Sequence, residues 1–137
     1  MCESPGGTLV FEGPKFRLIR VDEADFPAFY RLVWNDHVGE FSDLAPLDRT
    51  LCMEAVAGVE RVLRSHLQPA KMNLASLGNV VPHLHWHIIA RFQWDSHFPG
   101  PVWSAAQRDA PAGSLAEVVA RRASLEQDLA NQLGRLA

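Results

Sequence analysis

Between Pro82 and Ile89 the chain reads Pro-His-Leu-His-Trp-His-Ile-Ile, and no other segment constrains the fold as strongly. Imidazole and apolar side chains alternate with a period of two. In an extended strand, successive side chains point to opposite faces. A helix would scatter the same residues around its axis. The spacing therefore predicts a strand over His83–Phe92, with His83, His85 and His87 on one face. Leu84, Trp86 and Ile88 share the other, which must be buried. A strand with one apolar face needs sheet neighbours and a covering layer.

Both are legible elsewhere. Thr8–Glu12 and Lys15–Val21 are short β-like runs separated by the turn signal Gly13-Pro14, so they read as a hairpin. Asp22–Phe26 is a polar break, and Ala28–Trp34 reads as a third strand. Over Leu44–Leu67, Leu51, Ala55, Val59 and Leu63 recur every fourth residue, and Cys52, Val56 and Leu67 widen the stripe: an amphipathic helix. Pro46 suits its first turn. Lys71–Leu77 reads as a fourth strand, ending at Gly78-Asn79. Arg91 to Arg108 is a loop. Ser114, with Glu117 three residues on, has the spacing of a capping box opening a C-terminal helix. Leu115, Val118, Val119, Leu125, Leu129 and Leu133 of that helix lie near one face. The order β-β-β-α-β-β-α predicts an α+β fold. With no repeat or long linker, residues 1–137 are treated as one unit.

Bulk properties exclude several classes. A net charge of −3 offers no broad attraction to nucleic acid or a membrane surface, so an anionic ligand must be met by local groups. No apolar run approaches the roughly 18–20 residues of a membrane span. Met1–Gly7 lacks the pattern of a signal peptide. Cys2 and Cys52 do not form a disulfide framework. A cytoplasmic protein is expected.

Three readings of the histidine face compete. The first is a polar surface stripe, but solvated strands favour Thr, Lys, Glu or Ser. A metal site is the second. His83 and His87 would lie about 13 Å apart along a strand, too far for all three rings to converge on one zinc, although two could bind with help from His37 or a carboxylate. In the third, His85 attacks phosphorus. Imidazole titrates near neutrality, and a ring whose second nitrogen is held by a carbonyl presents a free lone pair. His83 and His87 then flank the nucleophile as orienting or donating groups.

His-Leu-His-Trp-His-Ile-Ile resembles the His-φ-His-φ-His-φ-φ motif of the histidine-triad (HIT) family, φ being apolar. The similarity extends outward. Phe29–Trp34 followed by Asn35-Asp36-His37 resembles the Val-Ile-Pro-Lys-x-His segment before the family's long helix. Asn73 lies ten residues before His83, near the family's Asn. Gly78-Asn79 stand where Gly-Gln is usual. His97–Trp103 is similar to the downstream aromatic region. The resemblance implies a five-stranded antiparallel sheet with a long crossing helix, usual dimerisation, and hydrolysis or transfer at a nucleotide α-phosphate through a nucleotidyl-histidine intermediate. Phosphoramidates, adenylates and dinucleoside polyphosphates are the implied substrates. It further implies His85 as nucleophile, His87 as phosphate contact and His83 as support. Asn73, Gly78 and Asn79 would line the phosphate pocket, and Asp22 would meet the ribose. Trp94 and Trp103 flank a loop that could cover a base or a dimer partner.

Three departures stand out. Val80 occupies a position where the family often has Ser or Thr. Asn79 is shorter than Gln. Many bacterial members use Cys-x-x-Cys with two histidines to bind zinc, whereas here the run is Cys2-Glu3-Ser4-Pro5. Neither zinc nor any other cofactor is expected, and His37 is read as a hydrogen-bonder. A non-catalytic nucleotide-binding regulatory module and a metal-binding protein stay open as alternatives. Elsewhere, His66 is explained by the helix dipole and His97 by an exposed loop. Trp34, Trp86 and Cys52 are read as packed, and Lys71, Arg91 and Arg108 as solvated. A nucleotide and a second copy of the chain are the expected partners; nucleic acid and membrane are not.

Overall fold

A computed structural model describes residues 6–137. Five strands form one antiparallel sheet: β1 (Thr8–Glu12), β2 (Phe16–Arg20), β3 (Phe29–Trp34), β4 (Lys71–Ala75) and β5 (His85–Arg91), in spatial order β1-β2-β3-β5-β4. α1 (Pro46–Leu67) crosses between β3 and β4, and α2 (Ala112–Leu136) closes the chain. The α+β architecture expected from the sequence is the one observed. No helix of the described residues is long and apolar enough to cross a membrane.

Both helices pack on one face of the sheet. Phe16, Leu18, Tyr30, Leu32, Trp34, Ile88 and Ala90 point toward them and meet Ala55, Val59 and Leu63 of α1 and Leu125, Leu129 and Leu133 of α2. Each of these leucines is fully buried, which stabilises the fold by roughly 1.5–3 kcal/mol per side chain. Glu126 of α2 adds a polar clamp. It accepts hydrogen bonds from Arg20 at 2.9 and 2.8 Å and from the Tyr30 hydroxyl at 2.8 Å. Burial, with Glu126 beside it, pushes the Tyr30 phenol far above its ordinary range, so it stays a donor.

The helix-free face carries the other side chains. Strand pairing sets Arg31 opposite His87, Val33 opposite His85 and Phe29 opposite Ile89. On the far side of β5, Asn73 is opposite Ile89 and Ala75 opposite His87. Phe26, Phe29 and Ile89 form a second, smaller apolar cluster, joined by Val21 and Val102. The long loop after β5 folds over this end of the sheet.

Several boundaries differ from expectation. β5 opens at His85, so His83 and Leu84 precede the strand. There the Trp34 N–H still donates to Leu84 O in register with the β3–β5 pairing, but the Leu84 N–H turns to Val38 O, and Trp34 O is taken by the His83 ring. β4 stops at Ala75 rather than Leu77. α2 begins two residues before Ser114, with Pro111 at the N-cap, so Ser114 and Glu117 lie inside the helix. A capping box does occur at Glu40–Asp43, opening a short 3₁₀ turn over Phe41–Asp43. Val119 is exposed, unlike the rest of the expected α2 stripe.

Candidate active site

A cavity of about 580 Å³ opens on the helix-free face, lined by Arg31, Leu77, Gly78, Asn79, Val80, Val81, His85, His87 and Trp103. β5 supplies the two histidines, β3 the arginine, and the β4–β5 connection the stretch 77–81. Gly78 has φ = +77°, a conformation L side chains rarely adopt, and a Cβ there would press on Val81 O at 3.3 Å. Glycine thus lets this connection fold back over the histidines. Ser76 pins its start by donating to His85 O at 3.0 Å.

The hydrogen bonds assign the tautomers. His85 Nδ1 lies 2.6 Å from the main-chain oxygen of His83. A carbonyl only accepts, so Nδ1 carries the proton and Nε2 keeps its lone pair. Arg31 Nε donates to His87 Nδ1 at 3.4 Å, which leaves the proton of a neutral His87 on Nε2. The two rings meet edge to face, with centroids 4.9 Å apart. Burial lowers the pKa of His85; the hydrogen bond to the His83 carbonyl opposes it, and the Arg31 and His83 charges act with burial, so the net shift is downward. Burial, then His85 and Arg31, depress His87 to about 4. Both rings are therefore neutral at pH 7. A neutral imidazole with a free lone pair beside an N–H donor and a guanidinium can attack an electrophilic, anion-bearing centre.

His83 departs from its expected position. It does not line the cavity. Its Nε2 donates to Trp34 O at 2.5 Å, and its Nδ1 faces His37 Nδ1 at 3.2 Å. The three triad rings therefore do not share one open face: two reach the cavity, while His83 supports His85 through its own carbonyl. His37 is drawn to His83, matching its reading as a hydrogen-bonder. Cys2 lies outside the described residues.

Gly78, Asn79 and Trp103 line the cavity. Trp103 is 54% exposed and meets His87 edge to face, centroids 5.5 Å apart. Val80, the departure from the hydroxyl residue, is 92% exposed on the rim. Asn73 and Asp22 are not brought to the cavity wall. Asn73 lies on the same sheet face but accepts from Arg91 at 2.8 Å. Asp22 follows β2 and accepts from Thr8 at 3.2 Å.

Two arginines were misread or missed. Arg91 is not solvated: it is 1% exposed, holds Asp95 through Nε and NH2 at 2.8 and 3.0 Å, and also donates to Asn73 and to Gly100 O. Burial alone would raise the Asp95 carboxyl, but Arg91 and the N–H groups of Phe92, His97 and Phe98 hold it below its ordinary value. Arg108 donates to the carbonyls of Asp95 and Phe98, both at 2.7 Å. Together these bonds shape the loop that carries Trp103. His97 is half-buried rather than exposed, bonded to Ser96 and tilted against Phe26. Arg31 is the charged cavity residue that the sequence reading missed. Its signal was available, since it is the single charge within the apolar run Phe29–Trp34.

Comparison with known proteins decides the family. The model of the HIT domain matches residues 5–94. The chain belongs to the histidine-triad family. Among HIT structures, a histidine triad protein from Bradyrhizobium japonicum is 30% identical, with a TM-score of 0.75 over 90% of this chain and 91% of that one. A histidine triad protein from Marinobacter aquaeolei is 26% identical, with a TM-score of 0.74 over 96% and 92%. One from Sinorhizobium meliloti is 23% identical, at 0.73 over 93% and 90%, and speaks for the HIT fold alone. No curated protein gives a sequence match. HIT proteins are in general nucleotide-binding hydrolases or transferases, and some are non-catalytic.

Proposed function

We propose that this chain is a HIT-type nucleotide hydrolase or nucleotidyltransferase in which His85 takes up the nucleotide as a covalent intermediate. One observation carries the reading: His85 Nδ1 is committed to the His83 carbonyl, while the ring borders an open cavity beside His87 and Arg31.

In this reading Nε2 of neutral His85 attacks the α-phosphorus. The Pα–Nε2 bond forms, and the bond to the leaving group breaks with its electron pair. His85 becomes a nucleotidyl-imidazolium whose Nδ1 keeps its proton, hydrogen-bonded to the His83 carbonyl. Water, or another acceptor in a transferase, then bonds to Pα. The Pα–Nε2 bond breaks, its pair returns to the ring, and the acceptor's proton passes to solvent. The transition states spread negative charge over phosphoryl oxygens. His87 Nε2–H meets one of them, and Gly78 and Asn79 contribute polar groups from the loop. Trp103 covers the nucleoside end. His83 acts as a positioning residue. Asn73 serves through Arg91, and a ribose contact by Asp22 has no support from the cavity lining. A nucleotide is the proposed ligand, and a homodimer the proposed assembly.

Intact-mass measurement after brief incubation with an adenosine phosphoramidate or a dinucleoside polyphosphate tests the reading. A nucleotidyl adduct on the wild-type chain, absent in His85→Asn, is expected. A folded protein that neither forms an adduct nor turns over any such compound overturns it. AMP binding by calorimetry under those conditions would favour the non-catalytic module, the reading that Val80 on the rim supports.

A further inference from the structure

Arg31 stands out within the cavity because the family motif does not account for it. It lies in the middle of β3, on the face shared with His85 and His87, and it is half-buried. Removing a guanidinium from water is costly unless a counter-charge returns the loss. Among the described residues the salt bridges involve Lys15, Arg20, His66, Arg91 and Arg121, and not Arg31. Glu23 acts on it only as a nearby field, and burial lowers its pKa. Its Nε donates to His87, and its guanidinium carbon lies 5.7 Å from the centre of the Phe29 ring. Neither terminal nitrogen has a hydrogen-bond acceptor among the described residues. A half-buried cation therefore presents two unpaired terminal nitrogens beside the attacking histidine.

Its side of the cavity matters. β5 lies between β3 and β4 in the sheet. The 77–81 loop rises from the β4 side, and Arg31 stands on the β3 side, two strand spacings or about 9–10 Å across. In the proposed attack by His85, the phosphoryl group would lie over β5, between His85, His87 and the loop. A ligand that also engages Arg31 must carry its next anionic group toward β3.

We propose that Arg31 receives the phosphate adjacent to the one attacked, so that this chain prefers nucleotides whose leaving group bears a phosphate over those whose leaving group is a neutral amine. This rests on the reading of His85 as nucleophile. The bonds balance without further reactants: Pα–O breaks as Pα–Nε2 forms, and the phosphate departs as an anion held by the guanidinium fork. An amine leaving group needs a proton as its bond to phosphorus breaks. The neighbouring imidazole, His87, is neutral near pH 7, and its Nε2–H is a hydrogen-bond donor but too weak an acid to protonate a departing amine.

The test measures kcat/KM for a dinucleoside polyphosphate and for an adenosine phosphoramidate with an amine leaving group, and compares their ratio in wild type, Arg31→Gln and Arg31→Lys. In Arg31→Gln the ratio, polyphosphate over phosphoramidate, is expected to fall about 10- to 100-fold, the scale of one charge-assisted contact. Lysine keeps the charge but loses the fork, so the Arg31→Lys ratio falls about three- to tenfold. An Arg31→Gln ratio within threefold of wild type overturns the proposal, because a loss common to both substrates means that Arg31 acts only through His87 or the attacked phosphate. Should Arg31→Gln fail to fold, an Arg31→Lys ratio within twofold of wild type overturns it instead. If wild type turns over neither substrate, the reading of His85 fails, and calorimetry with ADP and AMP judges Arg31 separately. Tighter binding of ADP that is lost in Arg31→Gln supports the proposal; equal affinity of the wild-type chain for the two overturns it.

Discussion

His85 Nδ1 donates to the main-chain oxygen of His83 at 2.6 Å, so the residue two positions earlier in the chain sets the tautomer of the ring that borders the cavity. The His83 ring is itself held by Trp34 O and His37. The first histidine of the motif thus works through its backbone, and its side chain anchors that backbone. Replacing His85 removes the free Nε2 lone pair without touching this anchor. His85→Asn is expected to lower turnover on the order of 10³-fold or more while retaining nucleotide binding. Steady-state kinetics and calorimetry check the two halves of that expectation.

Acid should weaken the fold through the same rings. In the unfolded chain imidazole titrates near its ordinary 6.5, whereas burial, His85 and Arg31 hold folded His87 near 4. Between these values the unfolded state binds the extra proton. The stability contributed is complete above about 6.5 and is lost as pH falls toward about 4, a change of about 3 kcal/mol for His87. Urea unfolding at pH 7.5 and 4.5 measures it, and His87→Asn should flatten the difference.

Activity should follow the lowered pKa of His85. The nucleophile must be neutral, and burial moves its protonation below 6.5. The acid limb of kcat/KM, which reports the free protein, is therefore expected below pH 6.5. A limb at or above 6.5 would mean that a different group titrates.

Arg91 and Asp95 are both 2% exposed at the side chain and only 2.8 Å apart. Arg91→Met leaves the Asp95 carboxylate buried without its cation, which costs about 3–5 kcal/mol. Denaturant unfolding should show this loss. Hydrogen exchange should rise first across residues 92–108, because Asp95 also ties the Phe92, His97 and Phe98 N–H groups.

Trp103 is an exposed aromatic at the rim of the cavity, edge-on to His87. Trp103→Ala is expected to change stability by no more than about 0.5 kcal/mol. It should weaken nucleotide affinity by about 1–3 kcal/mol, the scale of one base stacked on an aromatic ring. Chemical denaturation and titration with AMP separate the two effects.

The period-two pattern of Leu84, Trp86 and Ile88 and the period-four stripe of Leu51, Ala55, Val59 and Leu63 are local properties. They were enough to determine strand, helix and their buried faces, because side-chain direction follows from backbone geometry alone. The tertiary structure decided what local periodicity cannot encode. Whether His83 remains in the strand depends on β3, whose Trp34 carbonyl takes its ring. Whether Arg91 is solvated depends on Asp95, Asn73 and Gly100 folding around it. Arg31 became a cavity residue only when strand pairing set it opposite His87. Register, and the partners that register brings, are relations between distant segments, and no single segment carries them.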